Sequence, residues 1–199
     1  MSMENKLELM NHQKQALEGF LNSQIGFANF SEAGAGKTAV SIMAAKQTSC
    51  HNVLVICPNS LKDNWKKEFE MWAPEYAVKI INGTKKKREA VFQEFFAYQG
   101  PSVLVINYEA VLGNLEALIR LDWCILIADE SHAIKNHKSK KAKAIKKIIA
   151  KRKIIMTGTP TPNNPLDLWS QFDLIRPGYL HRNFYAFRSQ FAEVYTGSG

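Results

Sequence analysis

Eight consecutive residues, Ser31-Glu-Ala-Gly-Ala-Gly-Lys-Thr38, join a short apolar run to a helical one. Their types and spacing suit the capture of a polyphosphate. The general phosphate-loop pattern is G-x-x-x-x-G-K-[ST]; Gly36, Lys37 and Thr38 fit it, and Ser31 stands in the place of the first glycine. Gly34 and Gly36 allow the backbone to turn its amides inward around phosphate oxygens. A helix starting there directs its positive end at the same anion. Lys37 would reach the β- and γ-phosphates, and the Thr38 hydroxyl would coordinate Mg2+. Further along, the apolar run Ile125-Leu-Ile-Ala delivers Asp129 and Glu130, followed by Ser131 and His132. Asp129 would hold Mg2+ through water, and Glu130 would orient and deprotonate an attacking water. The combined chemistry is Mg2+-assisted hydrolysis of ATP.

Those groups need elements that deliver them to one place. Candidate strands run over Ile25–Phe30, Val53–Cys57, Val78–Ile81, Val103–Asn107, Cys124–Ala128 and Ile154–Thr157. Several are almost continuously apolar, as expected of parallel strands buried on both faces. Helical patterns fill the gaps at 11–22, 37–48, 60–72, 84–98, 109–119, 137–150 and 165–175. The alternation predicts an α/β fold, a mostly parallel sheet with helices on both sides. In such sheets ligands bind at the carboxyl ends of the strands, where both the loop and the acids fall. Trp65, Phe69 and Trp72 share one helical face with Leu61 and are read as core.

Composition narrows the partners. The chain has 199 residues, enough for one large domain with a real core. It carries 26 Lys+Arg against 18 Asp+Glu, for a net charge of +8. The excess is local: ten bases and no acid lie between Lys135 and Lys153, and the remainder has 16 bases against 18 acids. Such a run points to a phosphate-rich partner. Ala142, Ala144, Ile145, Ile148 and Ile149 form an apolar stripe within it, which places the lysines on the solvent side of one amphipathic helix. Lys85-Lys-Lys-Arg88 is read as a solvated helix start. No apolar run reaches the ~18–20 residues of a membrane span, so no membrane partner is expected. The acidic opening residues are unlike a signal peptide. Cys50, Cys57 and Cys124 are too few for a disulfide framework, and the five histidines lack metal-site spacing.

Taken together the motifs resemble those of the first RecA-like lobe of a superfamily-two helicase, in the Swi/Snf-like group of DNA-stimulated ATPases and translocases. Glu32-Ala-Gly-Ala-Gly-Lys-Thr38 resembles the family's first motif, which also lacks the leading glycine, and Asp129-Glu-Ser-His132 is similar to its DExH box. Lys135-Asn136 with Ser139-Lys140 resembles the run that follows that box. Thr157-Gly-Thr-Pro-Thr-Pro-Asn-Asn164, then Leu168-Trp169, is similar to its third motif. Val55–Leu61 with Trp65, and Val105–Glu109, are similar to two further lobe-one motifs, and Asn11-His-Gln13 resembles the glutamine motif.

The resemblance implies a three-layer RecA-like fold over residues 1–195 with a tail at 196–199. It implies ATP and Mg2+ at Glu32, Ala33, Gly34, Ala35, Gly36, Lys37 and Thr38, with Gln13 reading adenine. Lys37, Asp129 and Glu130 would be catalytic. His132, Thr157 and Thr159 would couple γ-phosphate sensing to closure on a second RecA-like lobe. That lobe, absent from this chain, carries arginine fingers worth roughly 10³–10⁵ in rate, so weak hydrolysis is expected of the chain alone. Double-stranded DNA is the expected partner, with RNA left open. Asn59, Ser60, Lys62, Tyr108, Lys135, Lys138 and Lys140 are the candidate backbone contacts, binding without sequence preference and with steep salt dependence. A cytoplasmic, nucleoid-associated protein of minimal bacterial or phage type is expected. The competing reading is a non-catalytic ATP- and nucleic-acid-binding module or regulatory fragment.

Overall fold

The computed structural model describes residues 7–161 and 164–192. The expected tail at 196–199, and Pro162 and Asn163 of the Thr-Gly-Thr-Pro run, lie outside the described residues. The order is α1 (Asn11–Asn22), β1 (Gly26–Asn29), α2 (Lys37–Gln47), β2 (Asn52–Cys57), α3 (Lys62–Trp72), β3 (Ala77–Ile80), α4 (Lys85–Ala97) and β4 (Ser102–Asn107). It continues with α5 (Tyr108–Val111), α6 (Leu115–Leu118), β5 (Trp123–Asp129), α7 (Lys140–Lys146), β6 (Ala150–Met156), α8 (Asp167–Ile175) and α9 (Phe184–Ala192).

The six strands form one parallel sheet in the order β1-β6-β5-β2-β4-β3. Period-two alternation sends successive residues of a strand to opposite faces, and both faces are apolar here. Val53, Val55 and Cys57 of β2 join one core with α1, α2 and α3; Leu54 and Ile56 join the other with α4 to α8. The helices leaving β1 and β2 thus cover one face, and those leaving β5 and β6 the other. That divergence opens a crevice at the carboxyl ends of the strands. Register sharpens it, because Asn29, Met156 and Asp129 lie side by side at the ends of β1, β6 and β5.

The expected strands all form, with bounds shifted by a few residues. The helices differ more. The pattern at 109–119 breaks into α5 and α6 around a 3-10 turn at Leu112–Asn114. Gly113 disfavours helix there, and the Asn114 amide donates to the Ala110 carbonyl (2.6 Å), taking an acceptor the helix would use. The single helix expected over 137–150 is corrected to the seven residues of α7. Ser139 caps it, its Oγ accepting from the Ala142 amide. The chain then joins the sheet at Ala150, opposite Trp123 of β5. Lys151, Arg152 and Lys153 therefore belong to a strand, at the sheet end away from the crevice. α9 is not among the expected helices, although Asn183 caps it, its Oδ1 accepting from the Ala186 amide (2.9 Å).

Candidate functional site

The phosphate loop begins where β1 ends. Asn29 is buried, and its Oδ1 accepts from both the amide (3.2 Å) and the hydroxyl (2.7 Å) of Ser31. Ser31, the departure from the general pattern, is therefore a hook that fixes how the loop leaves the strand. Gly34 and Gly36 sit at φ +80° and +76°, the left-handed region that favours glycine. A Cβ at Gly36 would also fall 2.1 Å from Gln13 Nε2, so that amide would have to move off the loop to make room. Lys37 opens α2, and its ammonium is held over the loop by the carbonyls of Ser31 and Glu32, both at 2.8 Å.

Gln13 braces the loop from α1. Its Oε1 accepts from the Met10 amide (2.8 Å) and its Nε2 donates to the Ala35 carbonyl (3.1 Å). His12 Nε2 lies 3.1 Å from the same carbonyl. Those bonds leave Gln13 one amide hydrogen and one lone pair, the pair an adenine edge needs.

From β5, Asp129 faces the loop with its carboxylate buried. Oδ2 accepts from the Trp65 indole N–H (2.9 Å) and Oδ1 from the Glu130 amide (2.9 Å). Burial holds this carboxyl above the usual carboxylate range; the Trp65 bond opposes that and the Glu130 charge adds to it. Trp65 is thus core, as its helical face predicts, and also a donor to the acid, a role the sequence pattern alone does not reveal. Glu130 takes φ +51°, rare for a residue with a Cβ and costing about 1–2 kcal/mol. Strain of this kind gathers at functional sites.

The turn after β6 closes the arrangement. Thr157 is buried and its hydroxyl donates to Glu130 Oε2 (2.8 Å) while accepting from the Thr159 amide (3.1 Å). His132 Nδ1 lies 3.0 Å from the same hydroxyl and 3.2 Å from Glu130 Oε2. The single hydroxyl proton goes to Glu130, so His132 must donate from Nδ1–H, which assigns its tautomer. The Thr157 amide also reaches the Asn29 carbonyl (3.3 Å). Gly158 lies beside Ala33 of the loop, so a Cβ there would sit 3.4 Å from the Ala33 amide nitrogen. Lys37, Asp129, Glu130, His132 and Thr157 are thereby brought to one crevice. Thr159 attaches through its amide and is exposed.

Gln171 on α8 completes the support and is invisible to motif reading. It is fully buried; Oε1 accepts from the Ser131 hydroxyl (2.6 Å), and Nε2 donates to the carbonyls of Pro160 (2.7 Å) and Asp167 (3.1 Å). Its sole sequence signal is an amide inside the apolar run Leu168-Trp-Ser-Gln-Phe172. Asn29 gives a similar signal at the end of its strand.

The expected backbone contacts divide. Asn59 and Ser60 are exposed in a turn after β2. Lys62 is corrected: it is only 5% exposed, and its ammonium donates to the Ile81 carbonyl (3.2 Å), to Asn82 Oδ1 and to Asn107 Oδ1 (3.5 Å). Burial lowers its pKa. Tyr108 is corrected likewise, at 2% exposed with its hydroxyl donating to the Asp129 carbonyl (2.7 Å). Both pin strand ends and present nothing to a phosphate. Lys135 pairs with Asp167 (3.3 Å), Lys141 with Glu109 (3.6 Å) and Lys146 with Asp173 (2.8 Å). Lys138, Lys140, Lys143 and Lys147 lie toward solvent.

Known proteins resemble this chain in sequence and fold. The SNF2-related domain family profile matches residues 10–197. TATA-binding protein-associated factor MOT1 of Saccharomyces cerevisiae is 38% identical over 127 residues, 64% of this chain and 7% of that protein. An uncharacterized ATP-dependent helicase of Mycoplasma pneumoniae is 31% identical over 98% of this chain and 20% of its own length. The Sulfolobus solfataricus SWI2/SNF2 ATPase core in complex with dsDNA superposes with a TM-score of 0.81 at 27% identity, covering 98% of this chain and 41% of that one. The chain thus spans about two-fifths of that solved core and a fifth or less of these relatives. Among the described residues, no helix is long and apolar enough to cross a membrane.

Proposed function

The chain belongs to the SNF2-related family, and from that premise we propose that it is the ATP-binding lobe of a DNA-dependent ATPase of the translocase type. The observation that carries the reading is the bonded path from Glu130 through Thr157 to the loop after β6, beside the phosphate loop. A nucleotide-binding turn alone would not need the acid, the threonine and the histidine joined in this way.

The residues divide the labour. The amides of Glu32 to Gly36 and the start of α2 would receive the phosphates. Lys37 would exchange its two carbonyl partners for phosphate oxygens, stronger acceptors because they are charged. Thr38 and Asp129 offer hydroxyl and carboxylate oxygens, the hard donors Mg2+ takes when substrate phosphates complete its shell. When bound, that ion neutralises charge on the β- and γ-phosphate oxygens. Glu130, aimed by Thr157 and His132, would accept a proton from the attacking water. Gln13 would read adenine with its remaining hydrogen and lone pair. The Thr157–Thr159 turn would carry the state of the γ-phosphate to a second lobe, which supplies arginine fingers from outside this chain. Residues 1–195 would form this one lobe, as a DNA-associated protein. Asn59, Ser60, Lys138 and Lys140 remain as duplex phosphate contacts, with Lys135 committed in part to Asp167.

The test compares ATPase activity, with and without duplex DNA, of this chain and of a protein extended through a second lobe. The chain alone should bind ATP through Lys37 and turn it over slowly, and the extended protein should show DNA-stimulated turnover. An extended protein that is inactive with Lys37 intact overturns the translocase reading. Turnover by the chain alone at the extended protein's rate overturns the need for a second lobe.

A further inference from the structure

Asp129 is held by donors from two other elements. β2 lies beside β5, and the helix that follows it, α3, sends the Trp65 indole N–H onto Asp129 Oδ2 at 2.9 Å. β4 is one strand further, and α5 behind it sends the Tyr108 hydroxyl onto the Asp129 main-chain carbonyl at 2.7 Å. The two bonds act on different parts of the residue. Tyr108 fixes where the Asp129 backbone sits, and Trp65 fixes how the carboxylate is turned. The other bond to that carboxylate, from the Glu130 amide to Oδ1 (2.9 Å), comes from the next residue and travels with the same backbone. Among the described residues, Trp65 is therefore the side chain that ties this carboxylate to another element.

The terminal torsion of an aspartate is broad and two-fold, so the aim of the carboxylate depends on that donor. The donor itself is well fixed. Trp65 is 1% exposed, and its ring packs on Phe69 (centroids 6.1 Å apart), which packs on Tyr76 (5.7 Å). The Tyr76 hydroxyl ends this aromatic row on the carbonyls of Ala45 (3.1 Å) and Cys50 (2.7 Å). Lys62 pins the first turn of α3 to Ile81, Asn82 and Asn107. A buried indole N–H needs a partner, and an indole held this firmly makes the acid follow it. Apolar packing alone would be served by a ring with no N–H.

We infer that Trp65 is a positioning residue for Mg2+: its N–H sets the rotation of the Asp129 carboxylate and so governs how tightly Mg2+ joins a bound nucleotide. The inference rests on the reading of this crevice as an ATP site. An ionised carboxylate offers about four lone-pair sites. The indole and the Glu130 amide take one on each oxygen and leave the others facing the phosphate loop's side of the crevice free for the shell of the ion. Mg2+ demands near-ideal octahedral geometry, so a turned carboxylate is penalised. Groups that orient a metal's ligands govern its affinity by about 10–100-fold. Losing the Trp65 N–H therefore acts on Mg2+. It spares the contacts that the loop amides and Lys37 make with phosphates, because those do not pass through Asp129.

The test titrates the whole chain with a fluorescent ADP analogue, in EDTA and across a Mg2+ series at one pH. Mg2+ should tighten binding to the wild type. In Trp65→Phe the Mg2+ midpoint should rise about 10-fold or more, with the affinity in EDTA unchanged. A benzothiophene side chain placed at position 65 keeps the shape of the indole and puts sulfur where the N–H was. It should raise the midpoint in the same way, so a packing defect in the phenylalanine variant does not decide the result. Tyr108→Phe, which loses only the bond to the main-chain carbonyl, should lower Tm and leave the midpoint in place. Wild-type binding indifferent to Mg2+ overturns the ATP-site reading and the inference with it. Mg2+-dependent wild-type binding with an unshifted midpoint in the benzothiophene variant overturns the inference alone, as does an equal shift in Tyr108→Phe.

Discussion

The crevice at the strand ends collects Gln13, Asn29, Lys37, Trp65, Asp129, Glu130, His132, Thr157 and Gln171 from scattered points of the chain into one bonded body. The run from Lys135 to Lys153, contiguous along the chain, is instead parcelled out among unrelated supports. Lys135 and Lys146 rest on acids of α8, Lys141 rests on Glu109, and Lys151 to Lys153 enter the sheet. Desolvation explains the contrast. A buried polar group must find partners or cost about 1–3 kcal/mol, so buried groups converge. A solvated lysine has no such demand, and its exposed ion pairs contribute only ~0–1 kcal/mol.

The largest expected break in the comparison comes from Lys37→Ala. In the proposed ATP site it removes a charge that would bond phosphate oxygens at about 1.5–3 kcal/mol each, so ATP affinity should fall about 100-fold or more. Titration with a fluorescent ATP analogue measures this; Lys143→Ala, in the dispersed run, should leave that affinity unchanged. Next in size is Thr157→Val, which keeps the shape and deletes the hydroxyl that serves Glu130, His132 and the Thr159 amide. Stranding those groups should cost about 2 kcal/mol, or about 4–8 °C in Tm for a chain of this length. Thr157→Ser should restore most of it, and an unchanged Tm in the valine variant would mean the network is not structural.

The same contrast governs what the sequence discloses. The strands, the parallel sheet and the phosphate loop follow from apolar runs and glycine spacing, which are local properties. The lysine-rich helix reads as too long because its apolar stripe continues past Lys146, while the ladder with Trp123 claims the chain at Ala150. Lys62 and Tyr108 resemble exposed groups because each follows a strand. Whether such a residue turns outward depends on what covers it, here Asn82, Asn107 and the β5 end, which lie far away in sequence. Asn29 and Gln171 escape notice for the same reason: a buried amide is recognised by its partners.

A smaller effect separates the lysines left in the solvent. Lys138→Ala with Lys140→Ala should lower the salt slope of duplex binding by about 0.9 for each phosphate no longer neutralised, so by about 2 in all. Alanines at Lys151 and Arg152, at the other end of the sheet, should leave the slope unchanged. Duplex titrations across salt concentrations measure both. If the two pairs lowered the slope equally, the run would act as one diffuse cation and the division between its halves would fail.

The finest contrast is between Lys62 and Lys143, one lysine inside the protein and one outside. Burial lowers the Lys62 pKa in the folded chain below its ordinary 10.5, so the folded state binds that proton less tightly than the unfolded state does. Between the lowered value and 10.5 the unfolded chain carries more protons, and stability must rise with pH across that window. Lys62→Met removes this contribution along with the bonds to Ile81, Asn82 and Asn107. The stability gap between wild type and Lys62→Met, measured by urea unfolding, should therefore widen as pH rises from about 7 toward about 10. Lys143→Met, at a solvent-exposed position, should change stability by no more than about 0.5 kcal/mol. A flat gap for Lys62 would mean that its three carbonyl partners replace water in full, so that the buried ammonium is desolvated in position but not in energy.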